Sequence, residues 1–151
     1  EGGEDFQIAD INALVTQAVG PPDRAAPLVI LALGTLPSVK VQPTALKRAI
    51  NNLIDNARKY GGDEIAIETG VSDKDILIDV LDRGPGIPEQ EVERMKRPFT
   101  RLENARTNAT GTGLGLAIVE RIARQHGGRF DLLPRDGGGT IARVSLPMGA
   151  R

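Results

Sequence analysis

The sequence predicts an α+β fold, a two-layer sandwich with a mixed, mostly antiparallel sheet and about three helices on one face. Two patterns carry this expectation. Three segments repeat apolar residues at helical spacing, and between them lie apolar runs of strand length broken by Gly and Pro. The length agrees: a chain of 151 residues buries roughly 70% of its unfolded surface, enough for one core.

Asp10 is placed to cap a first helix whose Ile11, Leu14, Val15 and Ala18 share a face, and Gly20-Pro21-Pro22 stops it. Leu28–Leu33 reads as a buried strand and Val39–Val41 as a short one. Pro43 suits the first turn of a long helix, along which Leu46, Ala49, Ile50, Leu53, Ile54 and Ala57 keep the 3.6 period. Gly61-Gly62 ends that helix. Ile65, Ile67 and Thr69 alternate as a strand, and Ile76, Ile78 and Val80 repeat the pattern after a turn at Ser72-Asp73-Lys74-Asp75. A Gly/Pro segment covers 84–88, a short helix is expected over 89–95, and 96–112 has no clear period. A helix over about 113–126 puts Leu114, Ala117, Ile118 and Ile122 on one side. Strands over 129–133 and 140–146 then flank an Asp136-Gly137-Gly138-Gly139 hairpin turn.

Composition removes several function classes. Nineteen Lys+Arg against twenty Asp+Glu give a net charge of −1, which provides no electrostatic case for nucleic acid or a membrane surface. Without cysteine there is no disulfide, thiolate catalysis or cysteine metal site. The longest apolar run, six residues at Leu28–Leu33, is far short of the ~20 that a membrane span needs. Glycine is the uneven component: fourteen of the eighteen follow residue 60, where the backbone must turn sharply or approach something closely.

Three clusters carry chemistry. In the first, Asn52 and Asn56 lie one turn apart on the long helix, on the face opposite the core stripe, with Lys59 on the same side. A carboxamide oxygen suits Mg²⁺ when phosphates bring the negative charge, Lys59 suits those phosphates, and Tyr60 suits a base or ribose. A simply solvated polar face gives the same pattern. In the second, Asp82 stands at a strand end before Arg83-Gly84-Pro85-Gly86. Its carboxylate can accept a hydrogen bond from an exocyclic amine such as adenine N6, although an ordinary Asp/Gly/Pro turn reads the same. The third is Gly111-Thr112-Gly113-Leu114-Gly115-Leu116 running into a helix, where glycines bring free N–H groups close to a phosphate. It lacks the Gly-Lys-Ser/Thr of a Walker loop, and neither Leu116 nor its surroundings fit a Rossmann fingerprint.

In this order the clusters resemble the N, G1 and G2 boxes of the GHKL (Bergerat-fold) ATP-binding family. The likeness is to the catalytic domain of bacterial sensor histidine kinases of the osmosensor type, and it covers roughly 8–147. Arg97-Pro98-Phe99-Thr100-Arg101 stands where these kinases carry an F box, inside a segment that matches their ATP lid. The resemblance implies ATP and Mg²⁺ as cofactors, with Asn56 as the Mg²⁺ ligand and Asn52 a second polar contact. It implies Asp82 as the adenine-reading carboxylate. Gly84, Gly86, Gly111, Gly113 and Gly115 become turn and phosphate-loop glycines, with Ile87, Thr112, Leu114 and Leu116 in the same boxes. Lys59, Arg101 and Arg106 become phosphate contacts, and Tyr60 a packing residue for the nucleotide. One departure is Lys96, which occupies the place of the first F-box Phe and bears on how the lid packs.

Hydrolytic relatives place a Glu one turn before the Mg²⁺ ligand to activate water. Here that position is Asn52, Asn51 is also neutral, and Asp55 is rotated about 100° from Asn56. Transfer to a protein histidine is therefore expected. The lone histidine, His126, ends the last predicted helix and reads as a residue favouring the helix dipole, not as the phosphoacceptor. The resemblance implies a protein histidine kinase whose acceptor and general base lie on a separate helical dimerisation domain, with a response regulator downstream and a homodimer in the full-length protein. The isolated fragment is expected to be a monomer and the cytoplasmic part of a bacterial inner-membrane protein. Residues 1–7 read as linker or remnant and 148–151 as a tail. The alternatives are a nucleotide-binding regulatory module without kinase activity and an ATPase of the same family.

Overall fold

The computed structural model describes residues 4–20, 28–60, 64–83, 115–135 and 137–148. In chain order these form β1 (Gln7–Ala9), α1 (Ile11–Val19), β2 (Leu28–Leu33), β3 (Val39–Val41), α2 (Pro43–Tyr60), β4 (Glu64–Ser72), β5 (Asp75–Asp82), α3 (Gly115–Gln125), β6 (Arg129–Pro134) and β7 (Thr140–Pro147). The main sheet runs β2-β4-β5-β7-β6, and β1 and β3 make a separate antiparallel pair. β2 lies parallel to β4, and the other neighbours are antiparallel. This is the mixed sheet with helices on one face that the sequence predicts.

Paired residues share a sheet face, so the register identifies the buried side. Ile67 pairs Val80, Val80 pairs Ala142, and Ile78 pairs Val144. All belong to the core together with Phe130 and the apolar stripes of the three described helices. α2 sits between α1 and α3 and packs on β4 and β5, while α3 packs on β6 and β7. Leu46, Ile50, Leu53 and Ile54 of α2 are almost fully buried. Truncating any one to Ala costs about 2–5 kcal/mol by transfer and cavity terms.

Local chemistry sets the boundaries. Asp10 accepts hydrogen bonds from the N–H groups of Asn12 and Ala13 and caps α1, which Gly20 ends at φ 74°. The β4–β5 turn places Asp73 at φ 54°, which Asp tolerates better than most residues. Asn12 ties α1 to the sheet: its Nδ2 donates to Gly34 O at 2.7 Å, and its Oδ1 accepts from Thr69 Oγ1 at 2.8 Å.

One expectation changes, and one element is added. Leu28–Leu33 is a strand but not a buried one: it is the sheet edge, with Ile30 42% and Leu31 37% exposed. An apolar run has the same composition at the edge as in the middle of a sheet. β1 is an added element, too short to show a period. Glu4 and Phe6, in the stretch expected to be linker, make tertiary contacts. Glu4 accepts from Thr44 N at 2.8 Å and Ala45 N at 3.0 Å, and the Phe6 ring lies 5.2 Å from that of His126. The short helix expected over 89–95 and the segment over 96–112 lie outside the described residues.

Candidate functional site

The topology gathers the chemistry at one end of the sandwich. α2 ends at Tyr60, just before β4 begins at Glu64. The start of β4 meets the end of β5, with Ile65 opposite Asp82. The last turns of α2 and the last residue of β5 therefore share an end of the sheet. α3 reaches the same end from the other direction. His126, immediately after α3, bonds to Gln42 N, immediately before α2, at 2.9 Å. The two packed helices are thus antiparallel, and the start of α3 lies towards the end of α2. Asn56, Lys59, Tyr60, Asp82, Gly115 and Leu116 belong to this end, with Asn52 one turn behind Asn56 on α2.

On α2, Asn52 and Asn56 are half-buried, whereas Asn51, Asp55, Arg58 and Lys59 are exposed. This corrects their expected position opposite the core stripe. They flank it, beside the buried Leu53 and Ala57. The reason is packing: α2 lies between α1 and α3, so its covered face is wider than the apolar stripe and reaches positions 52 and 56. A half-buried carboxamide is better fixed as a ligand than one held only by solvent.

Asp82 ends β5 on the helix-facing side, because its partner Ile65 is fully buried in the core. Its Oδ1 accepts from Thr140 N at 3.2 Å, and its carbonyl oxygen accepts from Arg135 Nη1 at 3.0 Å. Arg83 donates to Gly138 O at 3.4 Å and lies 3.9 Å from Glu64. These β6–β7 contacts carry no sequence signal beyond the glycine run, which reads as a plain hairpin turn. In α3, the Leu116 side chain is buried in the core, so its outward contribution is the backbone N–H of the first turn. Gly115 precedes it with open space where a Cβ would stand. That helix start points the positive end of its dipole, and the N–H groups of its first turn, towards this end. Gly84, Gly86, Ile87, Arg101, Arg106, Gly111, Thr112, Gly113 and Leu114 lie outside the described residues, as do Lys96 and Phe99.

His126 lies away from this end and is buried. Its Nδ1 bonds to Ile122 O at 2.8 Å, in the last turn of α3. Burial pushes its pKa below 6.5, against the opposing pull of the Ile122 carbonyl and the Glu4 charge. The ring therefore acts as a neutral bridge, not as the cation that a dipole argument supposes.

Residues 41–150 match the family described as histidine kinase-, DNA gyrase B-, and HSP90-like ATPases. The chain is 37% identical over 147 residues to the sensor histidine kinase GtrS of Pseudomonas aeruginosa, covering 95% of this chain and 29% of that protein. It is 35% identical over 150 residues to the sensor-like histidine kinase SenX3 of Mycolicibacterium smegmatis, covering 95% and 39%. The NMR structure of the histidine kinase domain of the E. coli osmosensor EnvZ superposes with a TM-score of 0.73 at 33% identity, covering 100% of this chain and 94% of that one. The chain belongs to the HATPase_c family, the histidine-kinase-type ATPase domains. It spans well under half the length of these two curated relatives.

Proposed function

We propose that this domain binds Mg-ATP at the end where α2, β5 and α3 converge, and presents the γ-phosphoryl group to a histidine of a separate helical dimerisation domain. The carrying observation is the convergence itself: a carboxylate at a strand end, two half-buried carboxamides and a helix start at one end of a single sandwich. Asp82 reads the adenine amine. Asn56, with Asn52 beside it, offers neutral oxygens to a hard cation that also takes phosphate oxygens, which is the donor chemistry Mg²⁺ accepts. The ion neutralises phosphate charge, and Lys59, Arg101 and Arg106 add cations around the triphosphate.

The protein's contribution is positioning and charge, and the nucleophilic imidazole arrives from outside. Asn52 has no basic group for activating water, which favours transfer over hydrolysis. In this reading the segment 96–111 gates the docking of the acceptor, and a response regulator receives the phosphoryl group next. The full-length protein would then be a homodimeric inner-membrane kinase, with this domain on its cytoplasmic side.

The test is a melting curve with and without Mg-ATP, since a ligand that binds only the native state raises stability as RT ln(1+[L]/Kd). Stabilisation should be lost in Asp82→Asn, whose amide presents a donor towards the adenine amine. Stabilisation that persists in Asp82→Asn sinks the assignment. Adding a histidine-bearing acceptor domain should then yield acid-labile phosphohistidine. Binding without transfer supports the regulatory alternative, and steady phosphate release by the isolated chain supports the ATPase.

A further inference from the structure

The β6–β7 hairpin does more than connect two strands, because it closes over the end of β5. The paired register of β5 with β7 stops at Leu81 and Ile141, one residue short of Asp82. At Asp82 other groups take over. The guanidinium of Arg135 donates to the Asp82 carbonyl oxygen at 3.0 Å, from 53 residues away in sequence. The backbone N–H of Thr140 donates to the carboxylate Oδ1 at 3.2 Å. Gly139, at φ 111°, passes so close that a Cβ there would lie 2.0 Å from Asp82 O and 2.9 Å from Arg83 Cα. The hairpin is itself closed, with Arg135 N donating to Gly139 O at 3.1 Å and Gly138 N to Arg135 O at 2.9 Å.

We propose that Arg135 and Gly139 are positioning residues: they pin the main chain of Asp82 so that its carboxylate keeps the orientation that selects an adenine amine. The proposal rests on the reading of Asp82 as the base contact. The physical argument concerns direction. A carboxylate on a frayed strand end rotates with its backbone and accepts from many donors. One whose carbonyl and Oδ1 are both held offers a fixed direction to a ligand. Discrimination between a base with an exocyclic amine at that place and one with a carbonyl depends on that direction, because the wrong base leaves two acceptors facing each other. A charge-assisted bond from Arg135 is strong enough to matter, and its planar guanidinium is not reproduced by a point-charge Lys.

The experiment measures binding of Mg-ATP, Mg-GTP and inorganic triphosphate to the chain and to Arg135→Ala, Arg135→Lys, Gly139→Ala and Asp82→Asn. Arg135→Ala should weaken ATP about tenfold and shrink the ATP/GTP ratio by a similar factor, leaving triphosphate affinity unchanged. Gly139→Ala should do the same or more, and Arg135→Lys should restore part of the ATP/GTP ratio. Each variant's melting temperature without ligand is recorded. Should Arg135→Ala not fold, Arg135→Lys carries the test through an ATP/GTP ratio below the parent's at unchanged triphosphate affinity. An unchanged ATP/GTP ratio in the folded Arg135 variants, while Asp82→Asn abolishes binding, overturns this inference and leaves the base reading standing. Equal losses for ATP and triphosphate overturn it as well, since the effect would not be on the base. Parent-like ATP binding in Asp82→Asn removes the base reading and this proposal with it.

Discussion

The imidazole of His126 bridges two helix ends, accepting the N–H of Gln42 at Nε2, 2.9 Å away, and bonding through Nδ1 to the carbonyl of Ile122 at 2.8 Å. A carbonyl only accepts and an N–H only donates, so this geometry requires a neutral ring with its proton on Nδ1. A second proton on Nε2 would face the Gln42 N–H. Burial is the main force that holds the pKa below 6.5. The sign follows: above pH 6.5 the ring is neutral in folded and unfolded chains alike, and below it the unfolded chain takes up a proton that the native state refuses. Stability is full above that value and falls as the pH drops towards the folded pKa, at up to about 1.4 kcal/mol per pH unit. Melting temperatures between pH 7.5 and 5.5 should decline below the midpoint, and His126→Gln should flatten the decline. An unchanged slope in that variant assigns the proton elsewhere.

Glu4 supplies the cap that the sequence around α2 lacks. Its two carboxylate oxygens accept from Thr44 N and Ala45 N at the helix start. Desolvation pushes its pKa up, but the hydrogen bonds from Thr44 and Ala45 outweigh it and hold the carboxyl below 4.5. Glu4→Ala should cost about 0.5–2 kcal/mol, the usual range for losing a cap. Glu4→Gln should recover part of this through its remaining oxygen. Urea midpoints at constant m-value check both, and a Glu4→Ala midpoint equal to the parent's would show that solvent caps α2 equally well.

What the sequence revealed depended on how local the cause was. The α2 stripe from Leu46 to Ala57 and the alternation of Ile76, Ile78 and Val80 are local periodicities, and both match the buried residues. The edge position of β2 was not legible, because Ile30 and Leu31 differ from core strand residues only in what fails to cover them. The flanking position of Asn52 and Asn56 needed the width of the buried stripe, which the α1 and α3 contacts set. The hold on Asp82 was hidden altogether, since it depends on a hairpin more than 50 residues downstream returning to one strand end. The candidate site residues, by contrast, come from motif spacing together with the family resemblance, and the roles of Asn56 and Asp82 stand as proposals for the binding experiments to test.

Two glycines should respond to alanine in opposite directions. At Gly128 an added Cβ would sit 1.8 Å from the carbonyl oxygen of Ser145, a backbone atom in a buried strand that has little room to move. Gly128→Ala should destabilise by about 1–3 kcal/mol or more, as overpacking does. At Gly70 in β4 nothing lies within 4 Å. There Gly70→Ala should gain roughly 0.5–1 kcal/mol by restricting the unfolded chain. Thermal melts of the two variants side by side test the close approach, and a Gly128→Ala variant as stable as the parent would show that β7 yields.

The face of the sheet away from the helices carries a partly buried ion pair. Asp79, 7% exposed, alternates with Ile78 and Val80 and so points away from the core. Arg143 meets it with two bonds, Nε to Oδ1 at 2.8 Å and Nη2 to Oδ2 at 2.9 Å, across the β5–β7 pairing that sets the residues opposite each other. Hydrogen bonding to Asp79 raises the Arg143 pKa further above its already high value. Removing one partner leaves the other charge in a site with limited access to water. Arg143→Ala should therefore cost about 1–3 kcal/mol, below the 3–5 of a fully buried pair because the Arg143 side chain is 31% exposed. Replacing both partners with apolar residues of similar size, Asp79→Leu with Arg143→Met, should recover most of that loss, since no charge is then stranded. The comparison is a double-mutant cycle read by urea unfolding. A double variant as unstable as the sum of the singles would mean that the pair contributes through packing and not through its charges.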